Sequence, residues 1–155
     1  MEEKNTAAEK IALQMQEAKD KLSADKLSAD KNKKRLEAAW CAMKLVLIED
    51  IGKMISRFCY QNEEFAAAVE TCQKTLLEIV DEVTKDVDQN NPSLSDVVAY
   101  MRACKAYLPE AEVICSFRIN IHKEVDDDLL DLENFEIPEA PSGAIILDLF
   151  GTGEI

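Results

Sequence analysis

The sequence predicts a mainly α protein, a small bundle of three to four helices with a short β element near the C-terminus. Three observations point there. Apolar residues recur every three to four positions through residues 32–60 and again through 63–87, the spacing that gathers side chains on one helical face. The first 91 residues contain no proline and a single glycine, Gly52, so long uninterrupted helices meet no breaker. Over 113–121 the period changes to two, as in a strand with one apolar face.

Residues 1–31 form a polar N-terminal segment, expected to be helical over 6–30 and to act as an assembly or hinge element. Its apolar stripe is narrow: Ile11, Met15, Ala18 and Leu22. A pentapeptide then repeats, Lys21-Leu22-Ser23-Ala24-Asp25 and Lys26-Leu27-Ser28-Ala29-Asp30. Five residues turn an α-helix by about 140° beyond a full turn, so Leu22 and Leu27 cannot share a face. The repeat reads as an exposed helix or spacer without chemistry of its own.

Residues 32–122 are the expected helical core. The strongest face is Leu36, Trp40, Met43, Leu47, Ile51, Met54, Ile55 and Phe58, widened by Cys41, Val46 and Ile48. Trp40 on that stripe is read as core. Asn62 is a candidate N-cap, with Glu63 and Glu64 in a first turn where the helix dipole favours them. The next face, Phe65, Val69, Cys72, Leu76, Ile79, Val80 and Val83, is expected to lie on one helix through 63–87, packed antiparallel on 34–60 through Trp40, Met43, Leu47 and Ile51. Asp88-Gln89-Asn90-Asn91-Pro92 signals a loop. Ser93-Leu94-Ser95-Asp96 has the spacing of a capping box and opens a helix to about Leu108, closed by Pro109. In the strand that follows, Val113, Cys115, Phe117, Ile119 and Ile121 face the core, paired with residues 144–149 or with a second subunit. Residues 123–155 are an acidic linker, with Pro138 and Pro141, followed by an apolar C-terminal segment.

Charge is distributed unevenly. Residues 1–60 hold 12 basic against 10 acidic side chains, whereas 61–155 hold 6 against 21. A net charge of −13 opposes direct nucleic-acid binding and an anionic membrane surface, and suits a basic protein surface as partner. Five cysteines, an odd number with no CxxC pair, read as reduced, unmetallated small hydrophobes. With no apolar N-terminal run and no span-length segment, the expected place is the cytoplasm.

No catalytic pattern is present, and the chain is expected not to be an enzyme and to need no cofactor or metal. Asp86-Val87-Asp88-Gln89-Asn90 begins like a calcium loop, but Asn91 stands where glycine belongs and Val97 where the bidentate glutamate belongs. His122, the single histidine, has no nucleophile or ligand spaced to join it. The run Lys31, Lys33, Lys34 and Arg35 reads as a solvated face, offset by Asp25, Asp30 and Glu37.

The candidate site is partner-binding and lies in the tail: Leu147, Asp148, Leu149 and Phe150. With Ile146 they form a pentapeptide, Ile146-Leu147-Asp148-Leu149-Phe150, that resembles the peptide by which bacterial replication and repair proteins dock on the DNA polymerase sliding clamp, Gln-Leu-(Ser/Asp)-Leu-Phe. Four positions match, and Ile146 replaces the glutamine. The resemblance covers five residues and implies a sliding clamp as partner, with Leu149 and Phe150 filling an apolar pocket. The competing reading is a last strand or core anchor. Three function classes follow: an accessory or adaptor protein docking through this C-terminal segment, an acidic inhibitor occupying a basic nucleic-acid-binding groove of a target, and a structural helical homo-oligomer.

Overall fold

A computed structural model describes residues 5–114 together with Ile145, Leu147 and Asp148. Five helices make up the described residues: α1 (Thr6–Lys31), α2 (Arg35–Gln61), α3 (Glu63–Thr71), α4 (Leu76–Thr84) and α5 (Asp96–Tyr107). Val113 and Ile114 belong to no strand. The remainder of the expected strand, the acidic linker, and Leu149 and Phe150 lie outside the described residues.

The frame is an antiparallel hairpin of the two long helices. The Asn5 amide donates to the Cys59 carbonyl at 2.9 Å, and an ion pair joins Lys19 to Glu49, so the start of α1 lies against the end of α2. Small residues let the backbones approach. Ala7, Ala8, Ala18 and Ala29 are buried on α1, Ala38 and Gly52 on α2. Gly52 makes room for Met15, since a Cβ there would lie 2.5 Å from Met15 Sδ and 2.6 Å from its Cγ and the methionine would have to shift. The repeated pentapeptide is part of continuous α1. Leu22 is 4% exposed and Leu27 57%, as the 140° rotation dictates.

The hairpin turn is a Schellman motif. Lys34 N–H donates to the Ala29 carbonyl at 2.8 Å and Lys33 N–H to the Asp30 carbonyl at 3.2 Å. That geometry requires a left-handed residue, and Lys33 supplies it at φ 56°.

Residues 63–87 do not form one helix. The chain breaks at Cys72–Thr75 into α3 and α4, which raises the helix number from the expected three or four to five. The cause is a pair of caps. Lys10 of α1 donates its ammonium to the carbonyls of Val69, Glu70 and Cys72 at 2.9, 2.9 and 2.7 Å, taking the orphan acceptors at the end of α3. Thr75 and Glu78 then form a capping box that starts α4. Asn62 caps α3 as expected, accepting from Phe65 N–H at 2.8 Å. The cap of α5 is Ser95, two residues later than the sequence spacing suggests.

The three short helices pack along α2, with α4 reaching as far as Lys44 through Asp81. Ile51, Ile55, Phe58, Phe65, Val69, Leu76, Ile79, Val80, Val83 and Ala103 are the centre of the core. Phe65 meets Phe58 edge-on at 5.7 Å between centroids and Tyr107 at 6.2 Å. Trp40, Met43 and Leu47, expected in this core, are only half-buried. A helix of 27 residues is about 40 Å long, whereas α3 and α4 with nine residues each reach about 13 Å and α5 with 12 about 18 Å. The short helices leave the N-terminal part of α2 open, where Leu36 and Val46 are exposed.

Candidate functional site

The N-terminal part of α2 presents an open surface. Along α2, Leu36, Trp40, Met43, Leu47, Ile51, Met54 and Phe58 follow one another at spacings of 4, 3, 4, 4, 3 and 4, a continuous apolar seam. Its C-terminal part, Ile51, Met54 and Phe58, is buried. Its N-terminal part is open: Leu36 is 46% exposed, and Trp40, Met43 and Leu47 are half-buried. Ala39 and Val46, the latter 60% exposed, share a face with Met43 and widen the open region.

Between Ala38 and Ile48 the sole charge is Lys44, and it is paired. Its ammonium bonds Asp81 of α4 at 2.5 Å and lies 5.8 Å from the Trp40 ring centroid, a cation–π distance. The open face therefore spans about 16 Å from Leu36 to Leu47 without a free charge inside it. Arg35 bounds it at one end and Asp50 at the other. Both are exposed, and neither has an ion-pair partner among the described residues.

The tail is seated at the opposite end of α2. Gln61 holds the Asp148 backbone at two points: its amide donates to the Asp148 carbonyl at 2.8 Å, and its Oε1 accepts from Asp148 N–H at 2.7 Å. A side-chain amide here imitates one rung of a strand ladder. Leu147 is half-buried against the helical core, and the Asp148 side chain is exposed. Of the four tail positions singled out by sequence, these two are thus placed on the helical body, and Leu149 and Phe150 lie outside the described residues. No signal in the sequence marked Gln61, because its contact spans 87 residues.

Cys41, Cys59 and Cys72 are free thiols. Burial pushes the Cys59 thiol up to about 12 and raises Cys41, where the Asp25 carboxylate adds to burial. A protonated thiol is a poor nucleophile. Asp88 spends a carboxylate oxygen on Asn90 N–H at 2.9 Å, a turn contact. Among the described residues no group of three or more His, Cys, Asp or Glu is placed to hold a metal ion. A cavity of about 400 Å³ at the hairpin turn is rimmed by Asp30, Lys33, Lys34 and Arg35, all exposed. None of the described helices is long and apolar enough to cross a membrane.

Comparison with known proteins returns no matching protein-family profile, curated protein or solved structure.

Proposed function

We propose that this chain is a non-enzymatic, protein-binding accessory protein that presents apolar surface on a helical scaffold. The observation that carries the reading is the open N-terminal half of the α2 seam, where Leu36, Ala39, Trp40, Met43, Val46 and Leu47 make one apolar surface without a free charge. Exposed contiguous apolar area on a helix face is the substrate of helix-in-groove and helix-pairing contacts. A benzophenone photocrosslinker placed at Val46 should capture a protein from an extract of cells expressing the chain. The same group at Leu13, exposed on the outer side of α1, should not. Equal capture at both positions, or none at either, overturns the reading.

The C-terminal segment carries a second docking reading through its resemblance to the clamp-binding peptide, and the backbone grip of Gln61 on Asp148 sets the condition for it. Leu147 seated on its own body cannot also fill a groove in another protein. Docking in trans therefore requires the tail to leave Gln61. On this reading, Gln61→Ala tightens binding to a purified sliding clamp, while Leu149→Ala with Phe150→Ala weakens it by roughly 3–6 kcal/mol, the value of two desolvated apolar side chains. Wild-type protein with no clamp affinity, together with a Gln61→Ala variant that also has none, ends this second reading.

A further inference from the structure

We propose that the open face of α2 pairs antiparallel with the same face of a second copy of this chain. The proposal rests on the open-face reading above and names its partner. The surface is self-complementary about a twofold axis through its centre. In an antiparallel pair whose facing residue numbers sum to about 83–85, Leu36 lies opposite the partner's Leu47, Trp40 opposite the partner's Met43, and Ala39 opposite the partner's Val46. Every apolar layer then meets an apolar layer, and the twofold repeats each contact.

Charge selects this direction. The same register brings Arg35 beside the partner's Asp50, and by symmetry Asp50 beside the partner's Arg35. These are the two charges that bound the open face, both exposed and without an ion pair among the described residues. A parallel pair would set Arg35 against Arg35 of the partner subunit and Asp50 against Asp50 of the partner subunit, which like-charge repulsion opposes.

The chain has a single tryptophan, Trp40, and it lies in the proposed interface. Sedimentation equilibrium and Trp40 fluorescence across a dilution series of the full chain therefore read association and burial separately. The expected result is a reversible dimer in which Trp40 emission shifts to the blue and acrylamide quenching falls as the dimer forms. Met43→Glu, half-exposed in one copy and next to the twofold axis in the pair, should abolish the dimer and leave the helical circular dichroism unchanged. Arg35→Asp and Asp50→Arg should each weaken the homodimer about tenfold or more, because each places like charges at both ends. Mixing the two variants should restore dimerisation, since each mixed pair matches opposite charges at both ends.

Three results overturn the proposal. A monomer whose Trp40 is readily quenched at every dilution removes self-association and leaves the protein-binding reading standing. A monomer whose Trp40 is shielded at every dilution removes both, because the face is then covered by its own chain. A dimer that survives Met43→Glu, or whose charge variants do not complement on mixing, pairs through another surface.

Discussion

Two lysines decide local geometry in opposite ways. Lys33 is held in the left-handed region at φ 56°, where a Cβ crowds the backbone at a cost of roughly 1–2 kcal/mol. The two hydrogen bonds of the Schellman turn hold it there. Lys33→Gly should stabilise the fold by about 0.5–1 kcal/mol in chemical denaturation, the strain relieved being partly offset by the freer unfolded chain. Lys10 works through its head group, which closes the C-terminus of α3 with three carbonyl contacts. Replacing it by Met keeps the apolar stem and removes the donors. Lys10→Met should cost about 2 kcal/mol, the scale of charge-assisted hydrogen bonds, with the earliest loss of amide protection at the end of α3. An unchanged midpoint for Lys10→Met would show that α3 ends without help from α1.

At the scale of the helices, Gly52 and the caps set spacing and boundaries. Alanine normally improves a helix by about 0.5–1 kcal/mol over glycine. At position 52 the added methyl meets Met15, and the overlap involves its Cγ as well as the more mobile sulfur. Gly52→Ala should therefore lose about 1–2 kcal/mol by thermal denaturation, the sign that overpacking gives. In a Met15→Ala background the same change should become stabilising. Two carboxylates make the helical frame acid-sensitive. The Thr75 backbone N–H, then its hydroxyl, hold Glu78 below the ordinary glutamate value, and Lys19 and Lys53 hold Glu49 down at about 2. Both groups have folded values depressed below the unfolded ones, so their contribution is present above the unfolded value and lost as pH falls. For Glu49 that window runs from 4.5 down to about 2. Glu49→Gln should flatten the melting temperature across it. Because Glu49 is solvent-accessible, the difference between wild type and variant should shrink in high salt.

Among the described residues, two long helices form the frame and three short ones pack along it, leaving the N-terminal part of α2 open. That open face is apolar, and the tail is fastened near the other end of α2 by Leu147 and Gln61. Leu147→Ala should lower stability by about 1 kcal/mol, less than the 2–5 of a fully buried leucine, since the side chain is half-buried. A urea midpoint indistinguishable from wild type would mean that the tail contributes nothing to the fold.

The sequence by itself determined where helices form and which of their faces are apolar. Both follow from local rules: the 3–4 spacing along α2, the Asn62 cap, the loop signals at Asp88–Pro92, and the 140° rotation that separates Leu22 from Leu27. Only the tertiary structure decided what covers those faces. The apolar spacing from Phe65 through Cys72 and Leu76 to Val83 reads as one helix, because a short break preserves the face. The split at Cys72–Thr75 depends on an ammonium that lies some 60 positions away in sequence. Trp40, Met43 and Leu47 carry the same pattern as Ile51, Met54 and Phe58, yet one set is half open and the other buried. Asp148 and Gln61 meet across 87 residues, and no local pattern encodes that distance. Periodicity records that a helix has an apolar side. Whether that side is filled depends on the lengths and positions of the other elements, which exist only once the chain has packed.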